Sequence, residues 1–308
     1  MSSRKSFGIV VLIIILVFEL AYLGDNPELL FPPEPTPAAT AAPTPEPTPS
    51  PTPEPTPYVP VYGEEGMWML AIASADYPME SEYVVETTAV EGYLFDARAA
   101  GALQAMLDAA RADGMGVYIT SAWRSRATQA GLYENRVYRF QLEGYSREEA
   151  EEVGATVVAR PGESEHELGL SVDLVTDTYT SLDEGFAEQP EYQWLLEHCA
   201  EYGFIQRYPP EKSDITGIIW EPWHFRYVGT PHALLMEANG LCLEEYGDFL
   251  RQGPRTCALP GGQRARVFCV PCTGEETEIR LPDSCCQISG DNAGGFIVTV
   301  WEQLPLPG

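Results

Sequence analysis

Positive charge is scarce in this 308-residue chain: 18 basic side chains stand against 46 acidic ones, a formal net charge of -28. A phosphate backbone would be repelled, which excludes nucleic acid as a partner. Lysine is rarer still, with only Lys5 and Lys212. Neither offers the exported part of the chain the S-x-x-K motif of a serine peptidase, because Pro209 stands three residues before Lys212 and Lys5 precedes the apolar N-terminal run. Histidine is limited to His166, His198, His224 and His232. Cysteine is also sparse, with seven residues. The run Cys269-Val-Pro-Cys272 followed by Cys285-Cys286 lacks the two-residue gap in its second half that a four-thiolate zinc site needs, so disulfides or idle thiols are expected. Hydrophobic residues make up 44%, which is ordinary globular composition and rules out disorder throughout.

Proline is distributed unevenly, with 13 of 27 lying between Pro32 and Pro60. This Thr-Pro and Glu-Pro tract cannot donate a backbone ladder and favours extended polyproline II. At about 3.1 Å per residue it is a stalk on the order of 90 Å long. Before it, the stretch from Phe7 to Phe18 carries no charge, follows Arg4 and Lys5, and is extended past Glu19 by Leu20 to Leu23. Such a segment is an export signal or a membrane anchor. The preceding basic pair places its N-terminal side in the cytoplasm and the rest of the chain outside. The expected organisation is therefore a tail and anchor over 1–30, a linker over 31–60, a main domain over 61–254 and a small β appendage over 255–308. The expected location is the cell membrane, crossed once, with the main domain extracytoplasmic.

Hydrophobic spacing predicts a helix over 96–114, capped by Asp96 and stopped by Gly114, with Leu103, Met106, Leu107 and Ala110 on one face. Further helices are expected over 125–142 (bearing Leu132, Val137 and Phe140), 147–158, 191–202 and 231–250, the last broken at Gly240. Strands are expected over 116–120, 170–175, 204–207, 217–220 and 225–228, and short strands recur after residue 264. Helices and strands mix without regular alternation, which argues for an α+β fold.

Two of the histidines lie in loaded contexts, Ser164-Glu165-His166-Glu167-Leu168-Gly169-Leu170-Ser171-Val172-Asp173 and Glu221-Pro222-Trp223-His224. His166 and Asp173 are seven apart, a spacing that no regular helix or strand brings to one metal. Gly169 supplies a bend, so that His166 comes off a loop while Asp173 projects from a strand whose Leu170, Val172 and Leu174 bury the opposite face. With His224 from a distant strand this makes a two-histidine, one-carboxylate set with a fourth position open, as catalytic zinc requires. Pro222 keeps Glu221 off a helix and lets its carboxylate aim at water beside the metal, as a general base. Arg124, after the strand that ends at Thr120, offers a guanidinium to a substrate carboxylate or a developing oxyanion. His198 and His232 read as buried or surface side chains.

Together, SAWRSRATQ, SEHELGLSVD and EPWHFRYVG resemble the VanY-type D-alanyl-D-alanine carboxypeptidases, zinc peptidases that share the Hedgehog/D,D-peptidase fold; the resemblance spans Tyr77 to Leu250. It implies that His166, Asp173 and His224 are zinc ligands, Glu221 the catalytic base and Arg124 the residue that stabilises substrate or tetrahedral intermediate. It also implies that Ser121, Gln129 and Ser164 line the peptide pocket. The implied reaction removes the last D-amino acid from peptidoglycan stem peptides. Trp123 stands where the family often has tyrosine, and Glu167 replaces a frequent glutamine. The residues leave open an L,D-carboxypeptidase, an endopeptidase of the same fold or a non-catalytic wall-binding module.

Overall fold

The computed structural model describes residues 58–62, 68–272, 276–281 and 286–302. The apolar run over residues 7–23, nearly all of the proline tract and Cys285 lie outside the described residues. Among the described residues no helix is long and apolar enough to cross a membrane. The described residues lie within one compact unit.

Strand β1 (Tyr58–Tyr62) begins within the expected linker. It is followed by a hairpin of β2 (Thr87–Val90) and β3 (Tyr93–Asp96). The two-residue loop of that hairpin, Glu91-Gly92, has φ of 53° and 90°, the paired positive values of a type I′ turn. Helix α1 (Ala100–Ala112) buries Leu103, Met106, Leu107 and Ala110 completely, as its spacing predicts, and Gly114 turns the chain out at φ 84°. Asp96, however, is not its cap. It ends β3, donates its N–H to the Gly169 carbonyl, and its buried carboxylate accepts from the N–H and Nε of Arg98 at 2.8 and 3.0 Å. The helix begins four residues later behind Ala99, which has no capping oxygen. Replacing Leu107 with alanine opens a cavity in this core and is expected to cost about 2–5 kcal/mol, read from the urea midpoint. A cost well below 1 kcal/mol would show that α1 does not seal the core.

Strand β4 (Val117–Ser121) leads to α2 (Arg126–Leu142), capped by Ser125, whose Oγ accepts the Thr128 N–H at 3.2 Å. The buried stripe of α2 is Gln129, Tyr133 and Val137, at four-residue intervals. Leu132 lies one residue, about 100°, off that stripe, so it is 43% exposed rather than in the expected core. Helix α3 (Arg147–Ala155) opens on a Ser146/Glu149 capping box. Next come β5 (Ser171–Thr176), α4 (Pro190–His198) with a 3-10 turn over Cys199–Tyr202, β6 (Phe204–Gln206), the single-turn α5 (Ser213–Thr216) and β7 (His224–Tyr227). The strand expected over 217–220 does not form. Gly217 at φ 73° ends α5, and the Ile219 N–H is taken by the Thr156 carbonyl instead of a sheet neighbour.

The central sheet runs β4-β5-β7-β6, every pair antiparallel. Side chains alternate across β5. Val172 and Leu174 join the α1 core, while Asp173 takes the other face and stands in register with Ser121 on β4 and His224 on β7.

Helices α6 (Thr230–Asn239) and α7 (Leu243–Arg251) follow, separated at Gly240 (φ 62°). Then come β8 (Arg255–Ala258), β9 (Arg264–Pro271), β10 (Glu276–Arg280), β11 (Cys286–Gly290) and β12 (Gly295–Glu302). They form a sheet ordered β11-β12-β9-β8, with β10 paired separately to β1. This β region shares a core with the rest of the chain. Cys257, Val267 and Ile297 cluster with Leu70, Val228, Leu243 and Tyr246. Buried His232 ties the elements together, with Nδ1 2.8 Å from the Tyr246 hydroxyl and Nε2 3.0 Å from the Thr299 hydroxyl. Cys199, Cys242, Cys257, Cys269 and Cys272 carry free thiols.

Candidate metal centre

His166 sits in a 3-10 turn (Glu165–Leu168) that Gly169 closes at φ 71°, and Asp173 follows on β5, so the chain bends at the glycine as expected. The ligand atoms of His166, Asp173 and His224 lie within 4.8 Å of one another, and all three residues are buried. No other such group occurs among the described residues. The two imidazoles present opposite nitrogens. His166 Nδ1 lies 2.6 Å from the Ala122 carbonyl, where it donates, and leaves Nε2 facing Asp173 Oδ2 at 3.3 Å. His224 instead turns Nδ1 toward Asp173 Oδ1 at 3.0 Å. Two imidazole nitrogens and a carboxylate converging in this way are the donor set of a catalytic zinc site with an open position, so the residues present fit zinc.

Around them opens a cavity of about 440 Å³. Glu221 lines it, its Oε2 3.7 Å from His224 Nδ1, and its backbone is pinned by a bond from its N–H to the Tyr208 carbonyl. Arg124 borders the same cavity. Its Nη1 donates to Gln129 Oε1 at 2.9 Å and its Nη2 to Asp173 Oδ2 at 3.4 Å, while Gln129 is itself anchored on the Ala159 carbonyl at 2.7 Å. The guanidinium is thus held over the metal ligands by a buried amide.

Charge is distributed unevenly over these groups. Burial, joined by the Arg124 cation, pushes the His166 imidazole down to about 4. For His224 burial acts in the same direction but is outweighed by the adjoining Asp173 and Glu165 carboxylates, which push it up to about 9. Burial also opposes ionisation of Asp173, yet the adjoining imidazoles hold it well below the carboxylate range. Burial, reinforced by Asp173, pushes Glu221 up to about 8 against the pull of His224 and Arg124.

Residues 92–230 match the VanY family model, described as D-alanyl-D-alanine carboxypeptidase. A D-alanyl-D-alanine carboxypeptidase of Enterococcus faecalis is 40% identical over 185 residues, which span 60% of this chain and 67% of that protein. The chain belongs to this family. Among solved structures, the vancomycin resistance D,D-pentapeptidase VanY of a VanB-type cassette, a mutant in complex with Zn(II), is 39% identical with a TM-score of 0.53. The match covers 58% of this chain and 98% of that one. The D,D-dipeptidase VanXYg, in complex with a D-Ala-D-Ala phosphinate analogue, is 29% identical with a TM-score of 0.69, covering 80% of this chain and 99% of the other. The α+β fold of this VanY-family chain is therefore the Hedgehog/D,D-peptidase fold, with an additional C-terminal sheet.

Most of the residues singled out from the sequence of this VanY-family member meet in one place. His166, Asp173, His224, Glu221, Arg124, Gln129 and Ser164 all border the cavity. Ser121 does not; it ends β4 beside Asp173 in the sheet. Glu167, the acid that replaces a frequent glutamine, also faces away. Its carboxylate is taken up by Arg126 Nε at 3.0 Å and the Gly162 N–H at 2.7 Å. Sequence reasoning passed over Glu165, which is 1% exposed and 3.7 Å from His224 Nε2. It also passed over Tyr208, whose ring lies 4.9 Å from the His224 ring. The one available signal for Glu165 was its place directly beside a ligand, a signal that Glu167 shares.

Proposed function

We propose that this protein is a zinc-dependent carboxypeptidase that removes the terminal D-alanine from peptidoglycan stem peptides. The observation that carries this reading is the meeting of Glu221 and Arg124 with the three metal-ligand side chains in a single cavity. Zinc held by His166, Asp173 and His224 supplies Lewis acidity, polarising a carbonyl oxygen and acidifying water. The chain's own residues do the rest. The Glu221 carboxylate takes the proton of the attacking water and afterwards delivers it to the leaving amine of the D-amino acid. The Arg124 guanidinium, kept in place by Gln129, faces the oxyanion as negative charge develops. Ser164 lines the same wall and offers a hydroxyl to the peptide backbone.

The apolar run behind Arg4 and Lys5, with the proline-rich stalk after it, supports a domain held outside the cell by a single membrane anchor. The substrate assignment is tested by mass spectrometry of stem pentapeptide and tetrapeptide incubated with the protein, with and without a chelator. Loss of one D-alanine from the pentapeptide, abolished by the chelator, is the expected result. Trimming of the tetrapeptide instead would make the enzyme an L,D-carboxypeptidase, and release unaffected by chelation would overturn the metal mechanism.

A further inference from the structure

Glu165 occupies a position that the reaction so far leaves unused. It is enclosed, and its Oε1 is held by Arg207 Nε at 2.8 Å and Arg226 Nη1 at 2.6 Å. Both arginines are buried and engaged on their far sides. Arg207 pairs through Nη1 with Glu244 at 2.9 Å, and Arg226 Nη2 donates to the Met69 and Ala71 carbonyls at 3.1 and 2.8 Å. Two carboxylates and two guanidiniums thus balance in charge, which makes so deep a set of ions tolerable. One oxygen is left over. Glu165 Oε2 makes no hydrogen bond, and neither does His224 Nε2; the two face each other at 3.7 Å. Buried polar atoms are rarely left without partners, and a movement of about 0.8 Å brings this pair to ordinary hydrogen-bond length.

The other two ligands are already oriented, His166 by the Ala122 carbonyl and Asp173 by its place in the sheet. The imidazole of His224 is packed by the Tyr208 ring, 4.9 Å away, and its Nδ1 faces Asp173. We propose that Glu165 is a positioning residue for the metal site, accepting the Nε2 proton of His224 so that Nδ1 presents its lone pair beside Asp173, with Arg207 and Arg226 holding the carboxylate in place. A carboxylate behind a ligating imidazole fixes its tautomer and raises its basicity. Through Glu244, in the first turn of α7, the same ion set connects the metal site to the helix that packs against the C-terminal sheet.

The inference rests on the zinc reading above, and the experiment separates the two. Zinc affinity of the full chain is measured by competition with a chromophoric chelator for wild type, Glu165→Gln, Glu244→Gln and the charge-balanced double variant Glu165→Gln/Arg207→Gln. Glu165→Gln and the double variant are expected to bind zinc about 10–100-fold more weakly. Glu244→Gln disturbs the same ion set without touching His224 and is expected to stay within about threefold of wild type, well short of that outer-partner effect. In zinc-loaded wild type, nitrogen-15 NMR is expected to show a slowly exchanging Nε2 proton on His224. Absence of that proton, unchanged affinity in Glu165→Gln, or an equal loss in Glu244→Gln would each overturn the role of Glu165. A wild-type chain that binds no zinc would overturn the function reading itself.

Discussion

Glu221→Gln is expected to lower kcat by about 10²–10⁴-fold, the usual contribution of a positioned general base, while zinc content stays at the wild-type level. Glutamine preserves the volume and the backbone turn in which the His224 N–H bonds to the Glu221 carbonyl, but it cannot accept and return a proton. Its side chain is not one of the three that converge as ligands, so the metal should remain. Steady-state kinetics on the pentapeptide together with metal analysis of the same sample check both halves. Retained turnover would remove Glu221 from the role of base, and a matching loss of zinc would make it a ligand instead.

Asp173→Asn should have the opposite signature, inactive because empty. Asp173 is the hub of the centre, 3.3 Å from His166 Nε2, 3.0 Å from His224 Nδ1 and 3.4 Å from Arg124 Nη2. The amide keeps the shape of the side chain on β5 but brings no negative charge to a cation and leaves the half-buried Arg124 without this carboxylate. Loss of even an outer partner costs 10–100-fold in metal affinity, so removal of this ligand is expected to cost more than about a hundredfold. Dialysed protein should then contain no stoichiometric zinc and show no D-alanine release. A variant that keeps both would exclude Asp173 from the ligand set. The pair of variants separates proton transfer from metal binding within one cavity.

Much of this site was legible before any coordinates. The bend at Gly169 follows from the mismatch between a seven-residue spacing and either regular period, and it is where the chain turns. Helix α1 was readable because its apolar positions repeat with the helical period over three turns. Elements with weaker patterns were misread for physical reasons. Leu132 is apolar, but the face that packs is chosen by Gln129, Tyr133 and Val137. Asp96 has the chemistry of a cap, yet its carboxylate is claimed by Arg98 and its N–H by Gly169. The segment 217–220 has strand-like residues and no strand to pair with. The β appendage expected after residue 255 is present as an additional sheet, and its apolar side chains complete a core begun by Leu70, Val228 and Tyr246.

The sequence by itself determined the chemistry of this protein: an acidic chain nearly without lysine, two histidines and an aspartate in motifs with one bend between them, and a glutamate kept off a helix by Pro222. Those features are local, carried by residue type, spacing and backbone restriction, and need no partner to be read. Only the tertiary structure decided which nitrogen of each imidazole faces Asp173, that Gln129 serves the cavity by holding Arg124, and that Glu165 stands behind His224 between two buried arginines. Most of these depend on contacts between groups tens of residues apart, and those contacts are set by how the sheet registers and the core packs.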